Sequence, residues 1–242
     1  RTAVDRVDTG ANLGATVHYR QGDSDEDRTA YGEVVLAAIG RVPNTDADWF
    51  RSSGLKLDER GYVTVDGYGR TNLDGVWALG DITPGHALAH RAFEQGITIA
   101  EKIAGADPKP VIDDTVPQVV FSFPEAASVG LTLDQAKARE DVVEPKETAY
   151  PMLSNARMLM SGEGGSMTVV SGAFANNPDM QVVLGVHIVS PIASDLIAEA
   201  EQLVGNRVPL ADAARLIHPH PTFSETLGEA LLKADGRPLH TR

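Results

Sequence analysis

Polar and apolar residues alternate through GATVHYRQ, residues 14–21, and that period of two predicts a half-buried strand. The charged loop GDSDEDR turns the chain. GEVVLAAIG, residues 32–40, then reads as a buried antiparallel neighbour, an apolar run ending in glycine. Pro43 and Asn44 punctuate a connection, after which residues 54–81 read as short strands separated by Gly and Asp turns, the last an apolar strand at 76–79. A helix is expected next: ALAHRAFEQGITIAEKIAG places Leu88, Ala92, Ile99 and Ile103 at helical spacing, with Gly105 as a stop.

Proline and charge in ADPKPVIDD mark a linker and a domain boundary near residue 110. Beyond it the pattern is α+β. Strands are expected in QVVFSF, ASVGL, GSMTVVSG and MQVVLGVHIVS, with NNPD as a hairpin loop between the last two. Helices are expected in LDQAKARE, ASDLIAEAEQLVG and LADAARLI, and a last one after HPTFSE. No internal repeat interrupts this order.

Composition narrows the functional classes. The chain of 242 residues is 42% hydrophobic, enough to bury a core in one or two domains. Its longest apolar stretches, at 34–39 and 182–189, fall well short of the roughly 20 residues a membrane-spanning helix needs. The N-terminus shows no signal-peptide pattern, so the expected compartment is the cytoplasm, with no membrane partner. The net charge of −13, with 20 Asp and 14 Glu against 6 Lys, argues against a nucleic-acid partner. The absence of cysteine excludes disulfides, thiolate metal sites and a cysteine nucleophile within the chain.

Two stretches carry candidate chemistry. Asp81 closes an apolar strand just before a helix, at the edge of an α/β layer where such folds bind ligands, and the helix-opening amides would favour an electron-rich group. Gly-Asp is also a common turn pair, so spacing alone leaves both readings open. The second stretch is IHPHPTFSE, residues 217–225. A histidine held by a carboxylate can exchange protons near neutral pH, and Glu225 is spaced to reach His220 if Pro221 redirects the chain and Thr222 or Ser224 starts a helix. The same residues make an ordinary helix-starting turn. As a metal site, His218 and His220 lack an evident third ligand. GEGGS at 162–166 precedes a strand, so a turn is favoured there over a phosphate cradle. His187 reads as a satisfied core histidine, and Trp49 and Trp77 as packing residues.

The stretches VVLAAIGRVPNT, TNLDGVWALGDI, ALAH with EQG, FPEAASVGLT, GVHIVSPIASDLI and IHPHPTFSE resemble, in this order, the pyridine nucleotide–disulfide oxidoreductase family. Within it they are most similar to the dihydrolipoamide dehydrogenase branch. The likeness runs from about residue 14 to about residue 234 and covers the carboxyl-terminal half of such an enzyme; the Gly-rich FAD fingerprint and the redox cysteine pair lie in the other half. The resemblance implies that residues 1–43 end an NAD-binding domain, 44–110 end an FAD-binding domain, and 111–242 form an interface domain that makes a homodimer. It implies FAD and NAD as cofactors and lipoyl groups of 2-oxoacid dehydrogenase complexes as partners. Gly40 matches a glycine whose backbone approaches NAD, and Asp81 an aspartate on a ribityl hydroxyl of FAD. Ala87, Leu88, Ala89 and His90 match the helix opening that faces the flavin's pyrimidine edge. His220 matches the acid/base histidine that reaches into the partner subunit's site, with Glu225 as its carboxylate and a cis peptide bond at His220–Pro221. Pro219 and Ala87 stand where alanine and methionine are common. A glutathione-, mycothione- or mercury-reductase-like enzyme and a stand-alone dimerisation module are the alternatives, and the 242 residues alone are expected to be inactive.

Overall fold

In a computed structural model, residues 2–10, 14–22, 24 and 26–241 are described. Two compact units are present, Arg1–Val42 and Pro43–Arg242. The first is a three-stranded antiparallel sheet of β1 (Thr2–Thr9), β2 (Ala15–Gln21) and β3 (Arg28–Gly32), with β2 in the centre. The strand expected at 14–21 is present as β2, but its burial grades from Ala15 outward instead of alternating, and β1 was not expected. Asp23 and Asp25 of the expected turn lie outside the described residues.

The apolar run at 34–39 departs from expectation. It forms no strand, and Val34, Leu36 and Ile39 are 86%, 87% and 93% exposed. A buried strand of this composition needs hydrogen-bonded neighbours on both edges and cover on both faces. Among the described residues no strand pairs with it.

In the second unit, α1 (Asp48–Ser52) precedes a segment held by turns rather than strands. The expected strands within 54–81 shrink to isolated bridges, Leu57 with Val63 and Arg70 with Trp77. The cause is local: Asp58 Oδ1 accepts from the Arg60 and Tyr62 amides, and Asp66 Oδ1 from those of Tyr68 and Arg70. Each aspartate therefore closes a tight turn where a longer strand would have to run straight. Helix α2 (Ala89–Ile103) follows as expected.

A five-stranded antiparallel sheet forms the body of the unit, in the order β4-β5-β8-β7-β6. Its strands are β4 (Gln118–Val120), β5 (Glu125–Gly130), β6 (Val142–Pro151), β7 (Ser166–Phe174) and β8 (Asn177–Ser190). Between them lie α3 (Leu133–Ala138) and α4 (Ala156–Ser161), and after β8 come α5 (Ala193–Gly205), α6 (Leu210–Ala213) and α7 (Glu225–Ala234). A register shift between β7 and β8 next to Leu184 lets Val183, Val186 and Ile188 share one core although their spacing is not strictly alternate. That core also takes Leu196, Ile197, Ala200 and Leu203 of α5 and Leu227 and Leu231 of α7; Leu184 joins Leu131, Ala136, Val170 and Val182 in a second cluster. Helices α5 and α7, which carry the partners of the two histidines, are thus anchored on the sheet. Among the described residues no helix is long and apolar enough to cross a membrane.

Candidate active-site residues and the family

The segment between α6 and α7 carries the histidines. Its backbone turn bonds stop at Leu216 N to Ala213 O and resume at Thr226 N to Phe223 O. Side chains hold the residues between. His220 Nδ1 lies 2.8 Å from Glu225 Oε1, and Glu225 Oε2 accepts from the Thr222 amide at 2.7 Å. Thr222 Oγ1 donates to Pro219 O at 2.6 Å, and the His220–Pro221 bond is cis. Asn155, buried beside α4, donates to Thr222 O at 3.2 Å while capping Met158 N.

Two sequence expectations therefore occupy one turn: α7 begins at Glu225, and its first residue reaches back to the imidazole. The capping differs in detail. Ser224 is the N-cap residue but makes no side-chain cap bond: its hydroxyl lies 3.0 Å from Thr222 Oγ1, and the Thr226 and Leu227 amides are taken by the Phe223 and Ser224 carbonyls. Burial pushes the Glu225 carboxyl up, but the Thr222 amide, the His220 hydrogen bond and the charges of both imidazoles outweigh it and hold the group below its ordinary value. The His220 side chain is 68% exposed and its carboxylate partner 20% exposed. With Nδ1 committed to Glu225, Nε2 is the ring atom left to meet a second molecule.

His218 takes a different partner. Its Nε2 lies 2.7 Å from Glu199 Oε1 on α5, and its side chain is 9% exposed. No group of three or more His, Asp or Glu side chains among the described residues is placed to hold a metal ion.

Asp81 sits exposed in the 3-10 turn Gly80–Ile82, next to α2: Gln95 Oε1 accepts from the Gly80 amide at 2.9 Å. Gly80 has φ +72, and a Cβ there would come within 3.3 Å of the Ala92 methyl, so the close approach favours glycine. Helix α2 opens with Leu88 at its N-cap, no side-chain cap bond and no acidic residue in its first turn. Ala87 and Ala89 are exposed and Leu88 half-buried there, whereas the His90 ring turns to Pro117, donating from Nε2 to its carbonyl at 2.7 Å. An acceptor carboxylate and a helix start without a side-chain cap thus follow one another along the chain, a combination that fits a ligand bearing both hydroxyls and electron-rich edges, with the Leu88 amide turned here to the His86 carbonyl at 3.0 Å. Gly40 lies in the irregular stretch after residue 33, with φ +114 and nothing within 4 Å of where a Cβ would stand.

Two family profiles match the chain. One, described as pyridine nucleotide-disulphide oxidoreductase, covers residues 1–96; the other, described as the dimerisation domain of the same proteins, covers 116–231. The chain belongs to the pyridine nucleotide-disulphide oxidoreductase family. Among its relatives, a dihydrolipoyl dehydrogenase of Cupriavidus necator is 40% identical over 98% of this chain and 48% of its own length. One of Geobacillus stearothermophilus is 38% identical over 94% and 46%. The crystal structure of LpdA from Mycobacterium tuberculosis superposes with a TM-score of 0.83 at 30% identity, covering 96% of this chain and 48% of LpdA. The flavoprotein disulfide reductase RclA of Escherichia coli, at 21% identity and a TM-score of 0.77, shares the fold over 95% of this chain and 50% of its own. The chain spans about half the length of the curated relatives it matches.

For a member of this family, Glu199 and Asn155 are the neighbours of the histidine turn that sequence reading missed. They approach it from 19 and 67 residues away, and no local motif signals such contacts.

Proposed function

We propose that this chain supplies the carboxyl-terminal half of a dihydrolipoamide dehydrogenase, a cytosolic flavoprotein homodimer that oxidises the lipoyl groups of 2-oxoacid dehydrogenase complexes with NAD+. The observation that carries the reading is the 2.8 Å contact between His220 Nδ1 and Glu225 within an exposed turn of the dimerisation-domain match. Relatives of that name at up to 40% identity support it.

In this reading residues 1–43 end the NAD-binding domain, 44–110 end the FAD-binding domain and 111–242 form the interface domain. Asp81 would hold a ribityl hydroxyl of FAD, and the segment Ala87, Leu88, Ala89 and His90 at the start of α2 would serve its electron-rich edge, in keeping with a helix start without a side-chain cap, the Leu88 amide first having to leave the His86 carbonyl at 3.0 Å. Gly40 lets backbone approach NAD, in keeping with its open Cα. FAD, when bound, passes to NAD+ the two electrons released by the substrate dithiol.

His220 of one subunit takes the proton of a substrate thiol on Nε2. The resulting thiolate attacks one sulfur of a redox disulfide in the rest of the enzyme; a new S–S bond forms as the old one breaks, and the freed sulfur leaves as a thiolate. Glu225 accepts from Nδ1–H, fixes the tautomer and stabilises the imidazolium, as the carboxylate of a protease triad does.

The test is His220→Gln in the full-length enzyme. Turnover of dihydrolipoamide with NAD+ should fall by roughly 10²–10⁴-fold, the range for a positioned acid/base group, while flavin absorbance per protomer stays unchanged. Near-normal turnover at full flavin content would overturn the assignment.

A further inference from the structure

Prolines flank His220 on both sides, and each side of the turn has its own anchor. On the carboxyl side, Thr222 is held by Glu225 and Asn155. On the amino side the side-chain anchor is His218, which bonds Glu199 of α5 at 2.7 Å. Its ring also abuts α7: a Cβ on Gly228 would come within 2.6 Å of His218 Nδ1, so only glycine leaves room. The imidazole is thus wedged between two helices that are themselves packed on the sheet. Only Pro219 separates it from His220, and proline allows almost no freedom in φ. The link between the two rings thus has fewer free torsions than an ordinary residue would give.

We infer that His218 is a positioning residue for the reaction: with Glu199 and Gly228 it fixes the amino-side end of the turn and so sets where His220 Nε2 points. The inference rests on the proposed acid/base role of His220. Two carboxylates face His218, Glu199 from α5 and Glu225 from α7, and the hydrogen bond to Glu199 outweighs burial to raise the imidazole above its ordinary pKa. Because its acceptor is a carboxylate, the bond is charge-assisted, of the stronger kind.

The experiment compares His218→Ala, His218→Gln and Glu199→Ala with His220→Gln, all in the full-length FAD enzyme. His218→Ala and Glu199→Ala should lower kcat by about 10- to 100-fold, the effect of a misplacement near 1 Å, with KM for dihydrolipoamide and flavin content unchanged. His218→Gln can place an amide donor near the former Nε2 and should recover to within about 3-fold of the parent. Glu199→Ala removes only a half-exposed helix side chain, so it reports even if His218→Ala does not fold. The inference is overturned if folded His218→Ala or Glu199→Ala keeps kcat within about 2-fold, or if glutamine rescues nothing. Loss of turnover in His220→Gln alone removes this inference and leaves the acid/base reading standing. Full turnover in His220→Gln removes both.

Discussion

Replacing Glu225 by alanine removes an acceptor that serves two donors at once. Its Oε2 holds the part-buried Thr222 amide at 2.7 Å, and stranding that amide costs about 1–3 kcal/mol. Its Oε1 holds His220, whose side chain is 68% exposed, so solvent screens that bond to about 0–1 kcal/mol. The expected loss at neutral pH is therefore about 1–4 kcal/mol, mostly from the amide. The pH dependence follows from the Glu225 carboxyl, which the fold holds below its ordinary value. Its contribution is fully present above the unfolded value near about 4.3 and is lost as pH falls through the lower folded value. Urea unfolding of parent and Glu225→Ala proteins, at one protomer concentration and between about pH 7 and about pH 3, measures both quantities. The gap in stability should be widest at neutral pH and narrow toward the acid end. A gap under about 0.5 kcal/mol at neutral pH, or one that stays constant on acidification, would refute the reasoning.

Two further outcomes test other parts of the structure. Gly130, opposite Gly185 in the β5–β8 ladder, has φ +78, and a Cβ there would collide with the Leu184 carbonyl and lie 2.7 Å from Gly185 Cα. Gly130→Ala should therefore destabilise by about 2–5 kcal/mol, left-handed strain and overpacking combined, which thermal unfolding would register as a lower midpoint. Asp81→Ala in the full-length enzyme should weaken FAD retention by about 10- to 100-fold, the loss of one charge-assisted hydrogen bond, read by fluorescence of released flavin. Unchanged retention would remove Asp81 from the flavin site.

The sheet strands β7 and β8 and the helices α2 and α5 were legible because their periodicity is strong and their burial is supplied by residues within the chain. Strand β6 was not. Its VVEPKETAYP contains Pro145 and Pro151, which argue against a central strand, but β6 is the edge of the sheet, where a missing amide is tolerated. A register shift around Glu144, at φ 50, blurs its alternation further. The run at 34–39 fails in the opposite direction: its composition is that of a buried strand, but composition cannot supply the neighbours such a strand needs. At the site, the reach of Glu225 back to His220 was readable from a five-residue spacing around a proline. The hold of Glu199 on His218 and of Asn155 on Thr222 depends on how distant helices pack, which no local pattern encodes.

The central claim is that His220 of one subunit serves the disulfide and flavin of the other, and mixed dimers test it directly. Full-length His220→Gln protomers are paired at random with protomers whose redox cysteines are replaced by serine, each inactive as a homodimer. If the histidine acts across the interface, half of the dimers are mixed and each has one intact site, so turnover per protomer should recover to about a quarter of the parent value. If mixing recovers nothing although mixed dimers form, His220 does not work in the partner's site and the account is wrong.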